Sequence, residues 1–187
     1  MTFMDIVRAR RSVRSYLKKP VEREKLLQCL EAARLAPSAC NAQPWRFIIV
    51  DDKGQKEKLA AAAFSGLFAM KFARIAPVLV AIVKDGHNLA VRTGGTIRDV
   101  DYPLLDIGIA GEHFVLQATE LGLGTCWIGW FNEGAARKVL GIPPGKKIAC
   151  MLSVGYSETP PQEGNRWRKP STEMAAFNEW GEGRTNH

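Results

Sequence analysis

The segment from Tyr102 to Leu121 constrains the fold more than any other part of the chain. It is long and mostly apolar, and its acidic side chains are Asp106, Glu112 and Glu120. A helix that is apolar nearly all round must be buried on all sides. A chain of 187 residues has little surface with which to cover such a helix. The segment therefore predicts that part of its surface meets another subunit. Gly122-Leu123-Gly124 follows this helix and precedes a strand. That order is the reverse of a dinucleotide-binding turn and predicts a glycine helix cap.

Helices and strands alternate around this segment. Glu22 to Ala36 carries Leu26, Leu27, Leu30 and Ala33 on one face, predicting an amphipathic helix that Pro37 ends. Trp45 to Val50 reads as a strand closed by Asp51, Asp52 and Gly54, and the Ala- and Lys-rich stretch Lys53 to Phe64 as a helix. Val78 to Val83 is a continuous apolar run, as expected of a strand buried on both faces. Residues 84–101 are polar and contain glycine, predicting a surface loop. A strand is expected over Thr125–Trp130, a helix over Glu133–Leu140 and a strand over Lys147–Val154. The alternation predicts a layered α/β or α+β architecture in a single domain over 1–187, with Ser157–Asn165 as the one linker-like stretch.

Composition narrows the function. Hydrophobic residues make up 46% of the chain, enough for a sizeable core. Met1 to Asp5 begins no apolar signal segment, and runs such as Pro77 to Val83 are too short to span a bilayer, predicting a soluble cytoplasmic protein with no membrane partner. Cys29, Cys40, Cys126 and Cys150 form no CxxC pair, and His87, His113 and His187 are equally scattered, so no metal site is expected. His113 reads as a satisfied core histidine. No GxSxG, HExxH or phosphate-binding P-loop sequence occurs.

The net charge of +7 invites a nucleic-acid reading. Its clusters, Arg8, Arg10, Arg11, Arg14, Lys18 and Lys19 at one end and Arg166, Arg168 and Lys169 at the other, lack interleaved aromatics. Two small clusters far apart in sequence suit convergence on one phosphate, although a solvated basic face would serve Lys18 and Lys19 equally. The expectation is therefore no nucleic-acid partner.

Four motifs carry a more specific signal. They are Arg10-Arg11-Ser12-Val13-Arg14-Ser15-Tyr16 after a short amphipathic helix, Ala36-Pro37-Ser38-Ala39-Cys40-Asn41-Ala42-Gln43-Pro44-Trp45-Arg46-Phe47 bridging helix and strand, Leu121-Gly122-Leu123-Gly124-Thr125-Cys126-Trp127-Ile128-Gly129 entering a strand, and Arg166-Trp167-Arg168-Lys169-Pro170 near the end. Taken in order, from about Met4 to Phe177, they resemble the nitroreductase family of FMN-dependent oxidoreductases. The resemblance implies an α+β fold, with a mixed, mostly antiparallel sheet flanked by helices, in an intertwined homodimer. It further implies FMN as bound cofactor, NADH or NADPH as electron donor, and a small nitroaromatic, quinone or related acceptor reduced in a ping-pong cycle.

The residues suit that cofactor chemically. A phosphate dianion needs several charge-assisted donors, which Arg10, Arg11, Ser12, Arg166 and Arg168 would supply. Pro37, Ser38 and Ala39 would let backbone and ring approach closely, with Asn41 and Gln43 offering polar groups to a flavin edge. The alternative there is a plain polar turn. In the family this loop comes from the partner subunit. Trp127, Ile128 and Gly129 would pack under the ring, or form an ordinary buried strand. Arg14 would stand by the flavin N1–C2 carbonyl. Cys40 replaces a residue that is more often small or polar. Phe68 stands near where certain members carry an asparagine, and Lys71 lies nearby. Other readings are a reductive dehalogenase, a flavin-consuming relative, a non-catalytic flavin-binding protein, or a basic nucleic-acid-binding module.

Overall fold

The chain opens with helix α1, Phe3–Ala9, and its start is written in two residues. The Thr2 hydroxyl accepts from the Asp5 N–H at 3.3 Å, and the Asp5 carboxylate accepts from the Thr2 N–H at 2.8 Å, a reciprocal cap. The structure, a computed structural model, describes residues 1–86, 95, 97–159 and 166–180. Helix α2 covers Arg23–Arg34, β1 Trp45–Val50, α3 Lys53–Ala63, α4 Lys71–Ile75 and β2 Val78–Lys84. Helix α5 covers Tyr102–Glu120, β3 Gly124–Ile128, α6 Glu133–Leu140, β4 Lys147–Gly155 and α7 Ser171–Met174.

Among the described residues four strands form one sheet in the order β1-β2-β4-β3, every neighbour antiparallel. A parallel bridge between Ser12 and Thr125 adds the mixed element at the β3 edge. Strand β2 sits inside the sheet and is buried on both faces, as its apolar run predicts. Leu79, Ala81 and Val83 enter one core with Leu59 and Ala63 of α3, Phe64 just past its end and Ala136 of α6. Val78, Val80 and Ile82 enter the other with Leu26, Cys29 and Ala33 of α2 and Ile107, Phe114 and Val115 of α5. The α+β architecture is thus three layers, with helices on both faces of the sheet.

The expected α5 is present, and its end is a glycine cap. Gly122 has φ of 76°, its N–H donates to the Thr119 carbonyl, and the Leu123 N–H donates to the Ala118 carbonyl at 2.8 Å. The helix is not covered all round within the chain, because Leu104, Leu105 and Ile109 stay 40–57% exposed. Several boundaries differ from the sequence reading by one or two residues, Gly95, Ile97 and Arg98 of the expected loop are helical, and two further differences bear on the site. Lys84 belongs to β2 and not to a loop, paired with Trp45 and Lys147. The third strand ends at Ile128, beyond which Trp130 leaves the ladder and donates its ring N–H to the Leu67 carbonyl at 3.1 Å. Residues 87–94 and 96 of the expected loop and 160–165 of the expected linker lie outside the described residues.

Candidate cofactor site

Three of the four sequence motifs meet at the β3 edge. Val13 donates its N–H to the Thr125 carbonyl at 2.8 Å, laying the first motif along the strand that belongs to the third. Tyr16 then anchors the segment from below. Its hydroxyl lies 2.7 Å from the buried Ser153 hydroxyl and donates to the Val13 carbonyl at 2.8 Å. Gly124 must be glycine for this approach, since a Cβ there would meet Val13 side-chain carbons at 2.6–2.9 Å. The fourth motif reaches back to the first: the Arg166 guanidinium donates to the carbonyls of Arg10 and, at 2.6 Å, of Arg8.

The result is a cluster of guanidinium groups. Partial burial lowers the Arg166 pKa first, and the charges of Arg10, Arg168 and Arg11 lower it further. Arg10 pairs with Glu112 at 3.8 Å. The second Glu112 oxygen accepts the Trp127 ring N–H at 3.3 Å, so this acid links the first motif to the third. Behind the cluster, burial raises the Cys126 thiol pKa, an effect opposed by Arg14, a hydrogen bond to Ser12 and Arg10. Arg14 stacks its guanidinium over the Phe72 ring at 5.7 Å. Ser12 and Arg14 are exposed, Arg11 half-buried and Arg168 exposed.

Residues 127–129 divide between two environments. Trp127 points to the α5 side and lies against Gly111, while Ile128 is buried in the opposite core. The alternation follows from the two-residue period of a strand. Gly129 is exposed just past the strand end. Beside it Trp130 and Phe68 hold their rings 5.1 Å apart, and Lys71 is exposed at the start of α4.

The second motif lies elsewhere. Cys40 and Asn41 have φ of 51° and Gln43 has φ of 45°, so three non-glycine residues occupy the left-handed region. Each such residue stores energy, of order 1 kcal/mol or more. The loop holds them with its own groups: Ser38 Oγ accepts the Gln43 N–H at 2.9 Å, and the Gln43 side-chain amide donates to Asn41 O and Oδ1. Cys40, Asn41 and Gln43 are exposed, Ser38 and Ala39 half-buried and Pro37 exposed. The Ala39 N–H donates to Asp106 of α5 at 3.1 Å. Asp106 and Glu112 are six residues apart on one helix, about 9 Å of rise and about 240° of turn. The loop and the arginine cluster therefore attach to different sides of α5.

Sequence reasoning passed over Asp106 and Glu112 as site residues. The signal was available, because acids within a mostly apolar helix need partners. Among the described residues no group of three His, Cys, Asp or Glu side chains is placed to hold a metal. No helix among them is long and apolar enough to cross a membrane.

Comparison with known proteins shows the family. The family model described as the nitroreductase family matches residues 7–156. Three relatives illustrate the similarity. YdgI of Bacillus subtilis (strain 168) is 38% identical over 185 residues, covering 82% of this chain and 87% of its own. A Thermus thermophilus protein named NADH dehydrogenase is 32% identical over 178 residues, covering 83% and 85%. A solved structure described as an FMN-dependent nitroreductase from Clostridium difficile R20291 is 29% identical, with a TM-score of 0.72, covering 95% of this chain and 99% of that one. The fold and its motifs define a nitroreductase-type oxidoreductase class. The chain belongs to the nitroreductase family.

Proposed function

We propose that the protein is an FMN-dependent oxidoreductase that passes electrons from NADH or NADPH to a small nitroaromatic, quinone or related organic acceptor. The observation that carries the reading is the arginine cluster joined from both ends of the chain. Burial lowers the proton affinity of Arg166 first, and the nearby charges of Arg10, Arg168 and Arg11 add to the effect. A phosphate dianion beside them would relieve that repulsion. The Arg166 fork is engaged on backbone carbonyls, so Arg10, Arg11, Ser12 and Arg168 would give most of the direct contacts.

FMN, when bound, supplies the two-electron chemistry, and the chain supplies binding, orientation and electrostatics. Arg14 would place a cation where negative charge gathers on reduction, with Phe72 fixing its guanidinium. Gly129, exposed at the end of β3, would offer its backbone N–H to the reacting edge of the ring. Trp127 and Ile128 would set the position of that strand end from the two cores. The nicotinamide and the acceptor would use one open face in turn, a ping-pong order.

The single domain over 1–187 would work as an intertwined homodimer with two sites at its interface. Two features support this. Pro37, Ser38, Ala39, Asn41 and Gln43 attach to the side of α5 away from the arginine cluster, so a second copy would bring them to the flavin. Residues 166–180 also carry Trp167, Met174, Phe177 and Trp180, each at least 74% exposed in the single chain. Water-facing apolar side chains in such number favour a partner surface.

Purification tests the reading directly. The expected result is a yellow protein that releases FMN on denaturation, sediments as a dimer and shows two separable half-reactions in stopped flow. A colourless protein with salt-sensitive DNA binding would support the nucleic-acid reading instead. Bound flavin without turnover would support a binding protein, and a flavin-loaded monomer at micromolar concentration would remove the interface sites.

A further inference from the structure

Asp106 is a carboxyl group in the packed face of α5, only 4% exposed, among Ile107, Ala110 and Gly111. One oxygen accepts the Ala39 N–H at 3.1 Å, and the other has no hydrogen-bond partner among the described residues. A buried carboxyl with half of its acceptor capacity unused is costly. Packing alone would be served as well by an apolar side chain. Its bond falls on the first residue of the turn Ala39–Asn41, where the left-handed run of Cys40, Asn41 and Gln43 begins. The loop's other side-chain hydrogen bonds, from Ser38, Asn41 and Gln43, are internal to it. They fix its shape and not its place on the body of the protein.

We propose that Asp106 is the positioning residue of the Pro37–Gln43 loop, holding the strained turn at Ala39 so that Asn41 and Gln43 meet the flavin edge in register. The inference rests on the flavin reading above. Asp106 touches neither substrate nor flavin; it acts through the Ala39 amide. The unused oxygen is the consequence of that task. The side chain is placed for one backbone N–H, and the apolar helix face around it offers no second donor.

Three variants test this, each measured for FMN dissociation constant, flavin absorbance spectrum and melting temperature. Asp106→Ala removes the acceptor and should weaken FMN binding about ten-fold, roughly the effect of one buried hydrogen bond, and shift the spectrum. Asp106→Asn keeps a carbonyl oxygen for the Ala39 N–H and should restore affinity to within about two-fold of the parent. Phe114→Leu loosens the same helix in its core without touching the loop. It should lower the melting temperature and leave affinity and spectrum unchanged.

Equal FMN affinity and spectra in Asp106→Ala and the parent would overturn the proposal while leaving the flavin reading intact. Equal losses in Asp106→Asn and Asp106→Ala, or an equal loss in Phe114→Leu, would also overturn it. If Asp106→Ala does not fold, Asp106→Val, which fills the site without an acceptor for the Ala39 N–H, takes its place: a similar loss supports the proposal and parent-like affinity and spectrum overturn it. A parent protein that takes up no FMN would instead refute the functional reading on which the proposal rests.

Discussion

The Arg166 guanidinium donates to the Arg8 carbonyl at 2.6 Å, across 158 positions of chain. Arg8 lies in the last turn of α1, so Arg166 satisfies carbonyls that a helix end leaves open. A residue near the end of the chain thereby fixes the point at which the Arg10–Arg14 segment leaves α1. Under the proposed reading the basic segment would have two tasks, one structural and one electrostatic, and substitutions separate them.

Arg168→Ala should weaken FMN binding, because a charged hydrogen bond to phosphate contributes roughly 1.5–3 kcal/mol, about ten- to a hundred-fold in affinity. The exposed Lys18→Ala should change it little. Arg166→Ala should both weaken FMN binding and increase amide exchange in Phe3–Ala9, which Arg168→Ala leaves protected. Fluorescence titration and hydrogen exchange give the two readings, and equal titration losses for Arg168→Ala and Lys18→Ala would remove the phosphate assignment.

Arg14→Gln should lower the flavin midpoint potential. A cation near the ring stabilises the reduced form more than the oxidised form, and about 1.4 kcal/mol corresponds to about 30 mV for two electrons. FMN should stay bound through Arg10, Arg11, Ser12 and Arg168. An unchanged potential in the loaded variant would show that stacking on Phe72 is the whole role of this side chain.

Gly111→Ala should destabilise the fold through one contact. A Cβ at Gly111 runs into the Trp127 ring, which is pinned by the strand on one side and by Glu112 on the other. Overpacking of this kind costs about 1–3 kcal/mol, or roughly 2–4 °C in melting temperature per kcal/mol for a chain of this size. Gly134→Ala in α6 meets only the Asn132 side chain at 3.9 Å and should be neutral or slightly stabilising. Calorimetry of the two variants, with tryptophan emission as a second signal, checks both.

Stability should fall at alkaline pH. Burial pushes the Cys29 and Cys150 thiols from an ordinary value of 9.0 up to about 12. Their folded pKa is raised, so their contribution is complete below about pH 9 and is lost as pH rises towards 12. Over that window the unfolded chain releases thiol protons that the folded chain retains. The slope reaches about 1.4 kcal/mol per pH unit for each thiol. Replacing both by alanine should flatten denaturant titrations run between pH 9 and pH 10.5.

Most of the elements and the family were legible in the residues alone. The apolar run Val78–Val83 reads as a strand buried on both faces, and Gly122 after Tyr102–Leu121 as a helix cap, because period, length and glycine conformation are local properties. Motif resemblance also singled out the arginines as candidates, since residue type and spacing suffice for that. Tertiary structure decided which motifs meet. The Ser12–Thr125 bridge, the reach of Arg166 to Arg8 and the double attachment of Glu112 are long-range pairings that no local pattern encodes. The same holds for Asp106, a lone acid in an apolar helix until the fold places the Ala39 N–H 3.1 Å away. Local sequence fixes what a segment is able to form; the packing of helix, sheet and loop fixes which partner its polar groups find.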